Sequence, residues 1–383
     1  MIIRLGVLLM AVVPVVPEPS RWSEAVRVIE SGVRQRVYPG GVLVIGRRDS
    51  LLFSTGVGRL TWDHRSVRPD PDETWWDLAS LTKVVATSAT IMTLVDRGQL
   101  ELDRPVGNYL PAFHGGGRER VTVRMLLNHT SGLPSYVPFY RTAANREELL
   151  AALWRVPLER TPGLREKYSD LNAMLAGLVV ESAAAAPLGQ IAWQSVFQPL
   201  GMARTGFGVP DSSRAAASIV HHGRAVAGEV NDRNARVMGG VSGHAGLFAT
   251  GADLARFAQA WLREGREASG QWVAASTMRQ FLTPSTAGGT RLLGWDSPDL
   301  ARLGRSQFGT LATPTTFGHT GWTGTFLWFD PSRDLFVVFL TNRSLGPTTR
   351  RSMEAMRSVR ARLSDAIARA VRGHCVATTI VTC

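Results

Sequence analysis

From Trp22 onward, apolar residues fall at Ala25, Val26, Ile29 and Val33. That is the three-and-four spacing of one helical face, and it predicts a first helix reaching about Arg36. Pro39-Gly40-Gly41 interrupts it, and two short apolar runs follow, Val42 to Gly46 and Leu51 to Val57. The polar tetrapeptide Arg47-Arg48-Asp49-Ser50 joins them in the pattern of a β-hairpin. After a polar loop rich in Asp and Pro, Leu81 to Val95 is strongly apolar, as a buried helix would be, with Gly98 placed to cap its end. As far as Leu262 the pattern is helical patches alternating with loops. Phe326 to Leu340 then gives two more apolar runs split by Asp330-Pro331-Ser332-Arg333, a second hairpin. Met353, Met356, Val359, Leu363 and Ile367 lie three and four apart and predict a last helix.

Sheet-forming segments at both ends and a helix-rich block between them predict an α+β fold, a sheet domain carrying a helical insertion. The expected division is a single domain over 20–373, with its sheet part at 20–75 and 263–373, its helical part at 76–262, and a tail at 374–383.

Composition narrows the function. With 383 residues, 44% hydrophobic and 19% charged, the chain is globular in character. The net charge of +12 raises nucleic-acid binding. The arginines are spread singly, however, without a basic run interleaved with aromatics, so no nucleic-acid partner is expected. The densest stretch, Arg350 to Arg372, alternates with apolar residues and reads as the solvated face of a helix, or as a weak attraction to an anionic surface. Only two of the 43 cationic side chains are lysines, Lys83 and Lys167. Arginine does not give up its proton in a protein and lysine can, so a retained lysine is a candidate for proton transfer. The two cysteines, Cys375 and Cys383, sit together at the end of the chain, which excludes a C-x-x-C zinc site and leaves a tail disulfide or a frayed tail. Arg4 followed by apolar residues from Leu5 to Val16 has the make-up of a secretory leader, too short to span a bilayer. Residues 1–19 are read as a signal peptide, and the protein is expected to be periplasmic or secreted.

Three short motifs carry chemistry. Ser80-Leu81-Thr82-Lys83 opens the apolar helix, and residues three apart on a helix share a face, so the Lys83 amine can reach the Ser80 hydroxyl. The alternative is an N-cap serine and a surface lysine. Tyr168-Ser169-Asp170 offers a phenol that a neighbouring ammonium would push toward phenolate, or else a core tyrosine beside a helix cap. His319-Thr320-Gly321, followed by Trp322, precedes the second hairpin, where glycine permits close approach to a ligand and a strand edge offers an N–H to an oxyanion.

In this order and spacing the three motifs resemble those of the serine β-lactamase, penicillin-binding protein and family VIII esterase superfamily, most of all its class C β-lactamase and D-alanyl-D-alanine carboxypeptidase branch. Leu126-Leu127-Asn128-His129-Thr130-Ser131-Gly132-Leu133 and Gly239-Gly240-Val241-Ser242-Gly243-His244-Ala245-Gly246-Leu247 look like stretches of the same family, and the resemblance spans about Trp22 to Arg372. It implies a β-lactamase/transpeptidase-like fold, an antiparallel sheet flanked by the terminal helices. It implies an acyl-enzyme on Ser80, with Lys83 and Tyr168 sharing the proton work. It implies an oxyanion hole from the N–H groups of Ser80 and Trp322, with His319 and Thr320 facing a substrate carboxylate or carbonyl. No cofactor or metal is implied. The substrate would be a small molecule or a peptidoglycan-like peptide, and the protein a monomer.

Two departures matter. The family's second motif usually ends in Asn, which donates to a substrate amide carbonyl, whereas Asp170 when ionised only accepts. A carboxylate there would also hold Lys83 as an ammonium. His319 replaces the lysine of many β-lactamases. Both point away from efficient β-lactam hydrolysis and toward esters or D-amino-acid peptides, with a β-lactamase or carboxypeptidase proper as one alternative and a non-turnover β-lactam sensor as another. Rival chemistries lack their motifs: there is no G-x-S-x-G and no H-E-x-x-H. His221, His222 and His244 read as loop or capping histidines before they read as metal ligands.

The leader makes one prediction. The mature chain should begin between Val16 and Trp22, as N-terminal sequencing of protein from its native host will determine. An intact Met1 on cytoplasmic protein would count against export.

Overall fold

The computed structural model describes residues 21–284, 289–346 and 349–372. Residues 1–19, read above as a signal peptide, and both cysteines lie outside the described residues. A five-stranded antiparallel sheet organises the molecule, with strands β1 Gly40–Arg47, β2 Ser50–Gly58, β3 Phe317–Thr320, β4 Phe326–Asp330 and β5 Leu335–Thr341. Their order is β3-β4-β5-β1-β2, so both predicted hairpins are present and the strand carrying His319 forms one edge. The centre of the sheet joins distant parts of the chain, with Gly41 opposite Thr341 and Gly46 opposite Phe336.

These strands read as unbroken apolar runs because both faces of the sheet are covered. Alternate residues point to opposite faces. Leu43, Ile45, Phe326, Trp328, Val337 and Phe339 pack under α1 Ser23–Arg34 and α5 Arg350–Arg372 through Ile29, Met356, Val359, Leu363 and Ile367. Val42, Val44, Leu327, Phe329, Phe336, Val338 and Leu340 face the larger core. There helix α4 Gly251–Leu262, which falls in the block expected to be the helical part, lies directly on β1 and β5. Trp295 meets Trp261 of α4 at 5.3 Å and Phe317 of β3 at 5.4 Å, both edge-on, which ties the edge strand down.

Arg360 differs from its expected place. The arginines of α5 read as a solvated face, yet Arg360 is only 6% exposed. It lies one turn from Met356 and Leu363 and so falls on the inward stripe that these residues define.

The helical block contains short strands as well. Trp76–Asp77, Leu247–Ala249 and Thr205–Phe207 pair as a small sheet, and Ala217–His221 pairs with Arg224–Ala227. Trp76–Asp77 leads into the Ser80 helix, which is less regular than its apolar pattern predicts. It begins as a 3₁₀ turn at Ala79–Leu81, is π-wound over Lys83–Ser88 and becomes α-helical only in α2, Ala89–Asp96. Its wide turn carries polar side chains that bond outside the helix, Thr87 Oγ1 to Gly243 O at 2.8 Å and Ser88 Oγ to Leu293 O at 2.9 Å. Wide turns of this kind recur at functional sites.

Candidate active site

Ala79, next to Ser80, adopts the left-handed conformation (φ 47°), which costs a non-glycine residue on the order of 1–3 kcal/mol. Asp77 holds it there, accepting the Ala79 N–H at 2.8 Å through Oδ1 and the Asn231 N–H at 2.6 Å through Oδ2. Burial pushes the Asp77 carboxyl up to about 6 against those two bonds. The result is a sharp corner that delivers Ser80 to the floor of a cleft of about 1520 Å³.

Lys83 is 4% exposed and its ammonium is fully surrounded. It donates to Ser80 Oγ at 2.9 Å and to the backbone oxygen of His244 at 3.0 Å, and it forms an ion pair with Asp170 Oδ1 at 2.8 Å. The serine–lysine spacing thus gives the contact the motif predicts. Lys167 lies elsewhere and pairs with Glu159, while its backbone N–H bonds to His129 O at 2.9 Å.

Tyr168 and Asp170 arrive on the N-terminus of α3, Asp170–Ala184, whose N-cap is Ser169. The Ser169 hydroxyl accepts from the Asn172 N–H and donates to Pro134 O at 2.6 Å. His129, itself left-handed (φ 60°), accepts the Ser169 N–H at 3.2 Å through Nδ1 and lies 4.7 Å from the Tyr168 ring. That ring also lies 6.0 Å from His319 and 5.2 Å from the Arg291 guanidinium, with the Lys83 ammonium also 5.2 Å from its centre.

The electrostatics follow from this crowding. Burial alone lowers the Lys83 amine, but Asp170 and then Tyr168 outweigh it, so the amine is held above the ordinary lysine value. Burial raises the Tyr168 phenol, and Lys83 only partly offsets this, because Asp170 also acts on the phenol in the raising direction. Burial, together with Arg291 and Lys83, keeps His129 and His319 well below the ordinary imidazole value, so both are neutral. Lys83 and Tyr168 are therefore an ammonium and a phenol. His319 is 2% exposed with both ring nitrogens unpartnered, a polar group left open beside the cleft.

Gly321, Trp322, Thr323, Gly324 and Thr325 form the tight turn after β3. Gly321 N–H bonds to Thr325 O at 2.9 Å, and a Cβ on Gly321 would lie 2.5 Å from Leu78 O, so only glycine permits this approach. Thr323 Oγ1 donates to Asp77 O at 2.8 Å and Thr325 Oγ1 to Leu78 O at 3.0 Å, pinning the turn to the residues just before Ser80. The Trp322 N–H makes no hydrogen bond among the described residues, and the indole, 44% exposed, sits on the rim.

All eight residues singled out from the sequence lie in or against one cleft, with Ser80, Tyr168, Asp170, His319, Thr320, Gly321 and Trp322 in its lining. Sequence reasoning missed the groups that hold them. Asp77, His129, Arg343 and Arg360 are buried supports, and Arg291 is a cationic wall. His244 is one of these supports, its ring fixed between Asp232 at 2.9 Å and Ser242 at 2.9 Å while its carbonyl holds Lys83. The family-like stretches around His129 and His244 were the available signal. His221 and His222 lie in an exposed hairpin with tilted rings 6.4 Å apart, and although they line the cleft with His244, no metal-holding cluster forms among the described residues.

Comparison with known proteins identifies the family and the fold. A family model described as "Beta-lactamase" matches residues 25–359. A protein of Escherichia coli strain K12 named "Putative D-alanyl-D-alanine carboxypeptidase" is 34% identical over 305 residues, covering 72% of this chain and 70% of its own. Among solved structures, a class C β-lactamase from Rhodobacter sphaeroides superposes with a TM-score of 0.70 at 20% identity, covering 90% of this chain and 99% of its own. EstCE1, a hydrolase with promiscuous acyltransferase activity, superposes with a TM-score of 0.73 at 22% identity, covering 91% and 98%. Mixed helices around an antiparallel sheet are the shared fold.

The lysine environment is directly measurable, because a chain with two lysines gives two side-chain signals. In a carbon-13 lysine titration Lys83 should lose its proton above the ordinary value of 10.5. Asp170→Asn removes the strongest raising influence and leaves burial dominant, so the Lys83 midpoint should fall by at least about one unit. An unchanged midpoint would mean that the carboxylate does not govern the amine.

Proposed function

The chain belongs to the β-lactamase family of hydrolases, and we propose that it uses Ser80 as its nucleophile to hydrolyse D-amino-acid peptides or related esters in preference to β-lactams. One observation carries the substrate reading: Asp170, in ion contact with Lys83 and lining the cleft, stands where relatives of the resembled branch place an amide donor.

In this reading Ser80 Oγ attacks the substrate carbonyl carbon and forms an acyl-enzyme. The N–H groups of Ser80 and Trp322 receive the oxyanion. Lys83 and Tyr168 carry the proton from Ser80 to the leaving amine or alcohol, and later from water back to Ser80. Both are held protonated at rest, so one proton must leave the Ser80–Lys83–Tyr168 cluster before attack, and turnover rises into the alkaline range. His319 and Thr320 meet the substrate on the strand side, where the open imidazole nitrogens find partners. A free carboxylate on the substrate suits a cleft lined by Arg291, Arg233 and Arg236, and the curated relatives carry a carboxypeptidase name. With its leader, the protein would meet such substrates outside the cytoplasm.

The specificity argument is one of hydrogen-bond polarity. A β-lactam presents a side-chain amide whose carbonyl needs a donor, and a carboxylate there offers only acceptors, whereas a simple ester or a D-amino-acid peptide with a free α-amine brings no such carbonyl. A lost buried hydrogen bond of this kind costs about 1–3 kcal/mol, roughly ten- to a hundredfold in kcat/KM.

Two experiments test these assignments. Ser80→Ala should abolish hydrolysis while keeping the fold, and a fluorophosphonate should label the wild type at Ser80; activity in the variant, or labelling elsewhere, would sink the nucleophile. The ratio of kcat/KM for nitrocefin to that for p-nitrophenyl butyrate should rise about ten- to a hundredfold in Asp170→Asn, and the alkaline rise of kcat/KM should move to lower pH. A ratio that stays level or falls would show that Asp170 does not face the substrate.

A further inference from the structure

Arg360 is buried and, among the described residues, has no acidic partner. Its Nη2 donates to Gly321 O and to Thr325 O, each at 2.9 Å, and its Nη1 donates to Gln307 Oε1 at 2.7 Å, so every oxygen it touches is neutral. The guanidinium lies 5.8 Å from the centre of the Phe326 ring, and Arg343 and Arg357 add like charge nearby. Burial pushes it down to about 9, which still leaves it charged at neutral pH. A buried cation balanced only by carbonyl dipoles is costly, and such departures from the rules of good packing concentrate at working sites.

The carbonyls it holds explain the placement. Gly321 O belongs to the same peptide unit as the Trp322 N–H, the group assigned above to the oxyanion. In a trans peptide the N–H points opposite to the C=O. Pulling the carbonyl toward α5 therefore aims that N–H away from Arg360. Hydrogen bonds in series polarise one another, so a cation on the carbonyl strengthens the N–H as a donor. The second carbonyl, Thr325 O, already accepts the Gly321 N–H, so one guanidinium nitrogen closes the turn on itself. Arg343 grips the next carbonyl, Trp322 O, with Nε at 2.9 Å and Nη2 at 2.7 Å.

We propose that Arg360 is a positioning residue for the oxyanion hole: by binding the carbonyl of the Gly321–Trp322 peptide it orients and polarises the N–H that receives the negative oxygen of the tetrahedral intermediate. The inference rests on the Ser80 reading and adds to it a cation that acts through one peptide bond, without touching substrate.

The test compares wild type with Arg360→Met and Arg360→Lys, all checked for fold by circular dichroism and thermal unfolding. The measurements are steady-state ester hydrolysis and the affinity of phenylboronic acid, which forms a tetrahedral adduct on a nucleophilic serine. Arg360→Met should lower kcat by about ten- to a hundredfold, up to the loss found on removing a single oxyanion donor. KM should change by less than about threefold, and boronate affinity should fall by the same factor as kcat. Arg360→Lys keeps the charge but not the two-carbonyl grip, and should recover part of both losses. If Arg360→Met does not fold, the decision rests on Arg360→Lys, for which a parallel loss of about fivefold in kcat and boronate affinity is expected. Unchanged kcat and boronate affinity in a folded variant would overturn the role of Arg360 alone, as would a loss confined to KM. Failure of the wild type to bind the boronate in a Ser80-dependent way would overturn both this inference and the nucleophile assignment.

Discussion

A buried ammonium has three hydrogens to place, and much of this structure follows from how Lys83 places them. One goes to Ser80 and one to the carbonyl of His244, and the charge pairs with Asp170 Oδ1 at 2.8 Å. These partners come from the Ser80 helix, the loop before the strand Leu247–Ala249 and the N-terminus of α3, so the amine is where three parts of the helical block meet. Each partner is itself secured: His244 by Asp232 and Ser242, α3 by the Ser169 cap and His129, Ser80 by the strained corner at Ala79. Without the Asp170 charge, burial would drive the amine toward neutrality, so the residue that departs from the family pattern also sets the protonation state of the site.

The sheet makes the opposite wall. Its edge strand β3 is anchored by the Trp261–Trp295–Phe317 cluster, and the turn that follows is clamped from two sides. Threonine hydroxyls bind it to Asp77 and Leu78, and arginines bind its outward carbonyls. The wall is thus positioned by side-chain bonds to backbone oxygens, an arrangement that fixes peptide orientation more tightly than apolar packing does.

Much of this was legible in the chain. The hairpins and terminal helices are visible because the strands and helix faces are strongly apolar, and the Ser80–Lys83 pair because helix geometry alone brings residues three apart together. Tyr168, Asp170 and His319 lie far from Ser80 in sequence, and only the order of motifs linked them. The supports were less visible. His129 acts through a left-handed backbone and a ring nitrogen, which no local pattern reveals. The irregular winding of Lys83–Ser88 depends on partners at Gly243 and Leu293, far along the chain. Arg360 was readable in principle, since it sits on the stripe of Met356 and Leu363, but its chemistry suggested solvent and hid its inward place.

The pairing of β1 with β5 has a consequence for how the protein comes into being. Gly41 pairs with Val57 on one side but finds its neighbour on the other side only at Thr341, so the central strands of the sheet cannot close until nearly the whole chain is available. Bringing such distant segments together carries a large loop-closure cost and makes folding slow compared with locally connected domains. The segment bearing Ser80 and Lys83 is complete by Ser88, but the strand edge that lines the cleft with Ser80 lies more than two hundred residues further on. A chain that ends before the last hairpin therefore carries the serine and the lysine without the wall of their cleft.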